Sequence, residues 1–123
     1  MNNDYHEKQI KFALAGYLTC AHWMRDEELP DDINFTDEFK AKAEKDVRKF
    51  IDDNDADFYA WYVRSGDGEQ AAENFGHNLW LSRNDHGVGF WDRGQGELGD
   101  RLHAAARKLG ETYAEFIESE VEA

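Results

Sequence analysis

At 123 residues the chain fits one domain, spanning 1–123, with one modest hydrophobic core. Aromatic residues make up 14%, which argues against disorder, and the single Cys excludes an internal disulfide framework. The formal net charge is -13, with the halves 1–63 and 64–123 carrying -7 and -6, so a general basic surface for DNA, RNA or an anionic membrane is not expected.

The opening MNNDYHEKQ has no basic region leading into an apolar one, so no secretory signal is read there. No apolar run approaches the roughly 20 residues of a membrane span. The cytoplasm is the expected location. Residues 5–24 read as a helix, because Ile10, Leu14, Tyr17, Leu18 and Ala21 recur at the helical period. Arg25–Phe35, with the only proline, reads as a loop. Thr36 or Asp37 can cap a second helix running to about Asp52, with Phe39, Ala43, Val47, Phe50 and Ile51 as its buried stripe. A third helix passes through Phe58, Trp61 and Tyr62 and ends in the turn residues Ser65 to Gly68. A fourth, about Glu69–Phe75, is expected to stop at Gly76.

After Gly76 the pattern changes to alternation. His77–Ser82 and Gly87–Asp92 flank Arg83-Asn84-Asp85-His86, which predicts a β-hairpin over 77–92 with a four-residue loop. That register opposes Leu81 to Val88, Leu79 to Phe90 and His77 to Asp92, and puts Trp80 and Trp91 together on the second face. A helix from about Glu97 to Leu109 follows, closed by Gly110. Thr112–Glu118 reads as helix or strand; a third strand is favoured, because a lone hairpin is marginal in water. The expected fold class is therefore α+β, mainly helical.

The run Gly76-His77, then Leu79-Trp80-Leu81-Ser82-Arg83-Asn84-Asp85-His86-Gly87-Val88-Gly89-Phe90-Trp91-Asp92-Arg93, resembles the signature of a family of small proteins of tailed bacteriophages and prophages. Members carry a segment similar to GHDFWLTRNGHGAGFWDR, a Gly-rich link, and a helix opening like GELGDRL. Here that opening is Gly96-Glu97-Leu98-Gly99-Asp100-Arg101-Leu102. Asp85 stands where the family more usually has glycine. The resemblance implies phage origin and a role inside the infected host; it implies no activity.

Taken alone, the His77–Asp92 pair has the makings of an oriented general base, since a carboxylate on one imidazole nitrogen frees the other for a proton. The plainer reading is a hydrogen bond closing the hairpin base. Ser82 faces away in this register and Cys20 is distant, so no nucleophile is placed. His77 and His86 lie too far apart along strands to share an ion with Asp92, and Cys20-x-His22 lacks a second pair, so no metal and no cofactor are expected. Arg83, Asn84 and Arg93 suit an anion, but no phosphate-loop order is present. The binding residues expected are Trp80, Arg83, Asn84, His86 and Trp91, because Trp and Arg dominate binding hot spots and the glycines leave backbone accessible.

These features favour a small acidic phage-type accessory protein that binds a host protein without catalysis, as an inhibitor or in an anti-defence role. Mimicry of DNA is disfavoured, because the charge is spread too thinly to match one phosphate per ~1.7 Å. The alternative is a small hydrolase or nucleotide-processing enzyme using His77, His86, Asp92 and Arg83. Direct nucleic-acid or membrane binding is not expected.

Overall fold

In the computed structural model, which describes residues 3–66 and 68–117, five α-helices and one short 3-10 turn account for the regular structure of the described residues. They are α1 (Asn3–Trp23), α2 (Asp37–Asp53), α3 (Asp55–Ser65), α4 (Glu69–Arg83) and α5 (Glu97–Leu109), with the 3-10 turn at Phe90–Asp92.

The N-terminal half follows its sequence pattern. The Thr36 hydroxyl accepts the Phe39 N–H at 3.1 Å, satisfying a first-turn donor of α2. Asp37 and Glu38 sit at the positive end of the helix dipole. The buried residues of α2 are Phe39, Ala43, Val47, Phe50 and Ile51, the expected stripe. Left-handed Gly66 closes α3.

The expected α+β architecture is not formed. Among the described residues there is no strand, and in place of the 77–92 hairpin α4 runs unbroken through Gly76 to Arg83. Gly76 does not end a helix; it lets two helices touch. A Cβ there would stand 1.8 Å from the Ala13 carbonyl oxygen, and one on Gly16 would stand 2.0 Å from that of Glu73. The backbones of α1 and α4 are therefore in direct contact, which only glycine permits. The two helices run in the same direction, with Ala13 against Gly76 and Tyr17 against Trp80.

The alternation after Gly76 misleads for a related reason. Asn78, Leu79, Trp80, Leu81, Ser82 and Arg83 are all buried, so this half of α4 has no solvent face to mark a 3.6-residue period. The turn signal Asn84-Asp85-His86-Gly87 is a helix C-cap. Asp85 takes φ 57, its N–H reaches the Ser82 carbonyl at 3.3 Å, and the His86 N–H reaches Leu81 at 3.2 Å. That pair of bonds is a Schellman motif, with Asp85 at the left-handed position where glycine is commonest. Hairpin turns and this cap both demand positive φ, so their sequence signals overlap.

The expected third strand is likewise absent. Residues 112–117 form no strand; their β-pairing is a single isolated bridge, Phe116 to Phe35. Thr36 N–H donates to Glu115 O at 2.9 Å and Ile117 N–H to Asn34 O at 2.8 Å. Glu118 lies outside the described residues.

The core joins all five helices. Phe75 of α4 packs on Phe58 at 4.7 Å and on Phe90 at 4.9 Å between ring centroids, and Trp61 meets Phe90 at 5.3 Å. Leu79, Leu81 and Phe90 share this core with Leu98 and Leu102, whereas Val88 is exposed.

Candidate functional site

Arg83 fixes the C-terminal end of α4. Its guanidinium donates to Asp46 Oδ2 at 2.9 Å, to the Tyr17 hydroxyl at 3.0 Å and to the Gly110 carbonyl at 2.7 Å. Its side chain is 3% exposed, so it is a structural clasp and not the surface binding residue expected. Burial pushes the Tyr17 phenol up to about 12 against the opposing pull of Arg83, which keeps the phenol neutral as an acceptor. Asn84 continues the clasp. Its Nδ2 donates to Trp80 O at 3.0 Å, and its Oδ1 accepts Thr112 N–H at 2.8 Å. Together Arg83 and Asn84 lead the chain after α5 back across the end of α1.

That path creates a groove of about 360 Å³. Trp80, Ala21 and Phe116 give it an apolar floor, Met24 and Tyr113 flank it, and Asn84 and His86 border one side. Tyr113 is 79% exposed. Trp80 is buried, edge-on to Tyr17 at 5.2 Å, yet its indole N–H has no acceptor among the described residues. An unpaired buried donor costs about 1–3 kcal/mol.

His22 pins the far wall. It lies edge-on to Phe35 and Phe116, at 5.8 and 5.9 Å, while those two rings stack at 5.0 Å. Its Nε2 is 2.8 Å from the Ile33 carbonyl, which only accepts, so Nε2 carries the proton. Arg25 is held on the rim by an ion pair with Asp31, and Asp26 and Glu111 border the groove with negative charge.

Of the expected binding residues, the structure brings Trp80, Asn84 and His86 to this groove and keeps Arg83 beneath it. Trp91 is elsewhere: it is 48% exposed and edge-on to His103. Trp80 and Trp91 do not share a face because the segment is helix and turn, not a hairpin. Met24, Tyr113 and Phe116 were missed by the sequence reading. For Tyr113 and Phe116 the available signal is the alternation Thr112, Ala114, Phe116 against Tyr113, Glu115, Ile117, which the burial of the tail does obey; Met24 carries none.

The enzyme-like residues occupy separate settings. His77 does not oppose Asp92; it lines another cavity with Arg93, and the Asp92 carboxylate accepts the Gly89 N–H at 3.1 Å. His86 is exposed at the groove and Arg83 is committed to Asp46. Ser82 and His103 are 2.9 Å apart, but Ser82 is fully buried and its hydroxyl also accepts the Phe90 N–H, so the pair holds the 3-10 turn on α4. Burial pushes the Cys20 thiol up to about 12, which leaves it protonated and unreactive.

No family model, curated protein or solved structure matches this chain.

Proposed function

We propose that this is a non-catalytic binding protein that docks a basic, apolar segment of a host protein in the groove between Trp80, Met24 and Tyr113. One observation carries the reading: Trp80 lines an apolar groove, and its buried indole N–H has no acceptor among the described residues. The Trp80 ring would floor the partner's apolar side chain, and exposed Met24 and Tyr113 would cover it. Asp26 and Glu111 on the rim, on a chain of net charge -13, favour Lys or Arg in the segment.

The likeness of 76–102 to phage proteins supports a protein of the infected host as partner and the host cytoplasm as the place of action. Among the described residues no helix is long and apolar enough to cross a membrane. The overall acidity supports a protein partner over direct contact with nucleic acid or membrane.

The reading is tested by capture from host lysate with wild type and Tyr113→Ser, followed by binding of the purified partner. Tyr113→Ser should retain the wild-type melting temperature and lose at least tenfold in affinity. The Trp80 indole N–H resonance should move when the partner is added to wild type. A partner that binds both proteins equally, or leaves that resonance unmoved, rejects the groove as the docking site.

A further inference from the structure

A second cavity, of about 390 Å³, opens between α3, α4 and the segment after the 3-10 turn. Trp61 lines it from α3, Asn74, His77 and Asn78 from α4, and Arg93 and Gln95 from the following segment.

Two of its donor groups are under-used. Trp61 is 3% exposed, and its indole N–H has no acceptor among the described residues. Arg93 is aimed by one bond, from its Nε to Asn78 Oδ1 at 2.9 Å. Among the described residues its terminal nitrogens make no hydrogen bond. The nearest carboxylate, Asp92, is 3.8 Å from Nε and already accepts the Gly89 N–H. Three of the acceptors around the cavity are already used. Asn74 O takes Asn78 Nδ2 at 2.9 Å, Asn74 Oδ1 takes Gln70 Nε2 at 3.3 Å, and Gln95 O takes Arg64 Nη1 at 3.1 Å. The Arg93 guanidinium thus lines the cavity without a close ion-pair partner. Burial, and then the charge of Arg93, hold His77 below the ordinary imidazole value, so it adds no second positive charge at neutral pH.

We propose that this cavity binds a small organic oxyanion, its oxygens held by the Arg93 guanidinium beside the Trp61 side chain. Guanidinium groups bind carboxylates and phosphates in a planar fork, and an ionised acceptor forms stronger bonds than a neutral one. A bare anion would leave most of the volume empty, since a water occupies about 30 Å³ of liquid. The remaining space, walled by the Trp61 ring and amide side chains, suits an organic body in the size range of small-molecule sites.

The experiment is a titration of nitrogen-15-labelled protein with phenyl phosphate, benzoate and uncharged benzyl alcohol, following the Trp61 indole N–H, assigned with Trp61→Phe. At least one anion should move that resonance saturably while benzyl alcohol does not, and the tighter anion identifies phosphate or carboxylate as the group. Arg93→Gln should bind at least tenfold more weakly with an unchanged melting temperature, and Trp61→Phe several-fold more weakly. If Arg93→Gln fails to fold, Arg93→Lys replaces it, with weaker binding expected from loss of the fork. A resonance unmoved by both anions, an equal response to benzyl alcohol, or wild-type affinity in the Arg93 variant would overturn the proposal.

Discussion

Arg83 of α4 and Asp46 of α2 form an ion pair at 2.9 Å, with the arginine side chain 3% exposed. The pair ties the central helix to the one beside it, and the same guanidinium anchors the end of α5 through Gly110. Without Arg83, Asp46 would keep Lys42 at 2.8 Å, but the Tyr17 hydroxyl and the Gly110 carbonyl would each lose a charge-assisted hydrogen bond, together worth about 3–5 kcal/mol. Arg83→Ala should therefore lower stability by about that amount in urea unfolding. A melting temperature equal to wild type would show that Arg83 is not the clasp.

The pair also sets an acid limit. Burial alone would raise the Asp46 carboxyl, but the hydrogen bonds and charges of Lys42 and Arg83 outweigh it and hold the carboxyl below its ordinary value. A folded pKa below the unfolded one, about 3.9, gives stability that is complete above the unfolded value. It is lost as pH falls through the folded value. Unfolding free energy measured between pH 2 and pH 6 should thus fall less steeply on the acid side in Asp46→Asn than in wild type. Identical slopes would remove Asp46 from the acid response.

Gly76→Ala sets two effects against each other. Helix propensity favours alanine by about 1 kcal/mol. The new methyl would meet the Ala13 carbonyl at 1.8 Å, and overpacking against backbone costs about 1–3 kcal/mol or more. Net destabilisation is expected, read from the urea midpoint. Stabilisation would mean that α1 and α4 separate easily.

At Asp85 the left-handed backbone, φ 57, decides the order of variants. Alanine there should cost about 1 kcal/mol, because its Cβ crowds the following carbonyl without a polar side chain in return. Glycine relieves the strain but loses the exposed ion pair to Arg107 at 2.7 Å, worth about 0–1 kcal/mol. Melting temperatures should rank Asp85→Gly at or above wild type and Asp85→Ala below both. Any other order contradicts the cap.

Sequence pattern reveals elements that keep one wet face. Thr36, the stripe from Phe39 to Ile51, and the helix closed by Gly110 were legible for that reason. The second half of α4 was not, because burial on every side erased its period, and Gly76 carried a contact whose partner lies 63 residues earlier at Ala13. The groove was half legible. Trp80, Asn84 and His86 stand out as an aromatic and polar cluster. Tyr113 and Phe116 acquire meaning only once Arg83 and Asn84 fold the tail across α1, which no local signal encodes. Trp61 reads as part of the third helix; what the sequence does not show is that its N–H lacks an acceptor among the described residues.

The wall carrying Tyr113 and Phe116 is attached by the Asn84 hold on Thr112, two backbone hydrogen bonds, exposed side-chain bonds from Thr36 and Lys42, and the rings of Phe35 and His22. α4, in contrast, is enclosed by its neighbours. Amide exchange should therefore separate the two, with Leu79 and Trp80 exchanging only through global unfolding and Ile117 through local opening. Lifting the tail would admit solvent to the Trp80 N–H without disturbing the Phe75 cluster. The groove can therefore breathe on a body that stays folded, and a segment captured there would slow exchange in the tail far more than it raises the melting temperature.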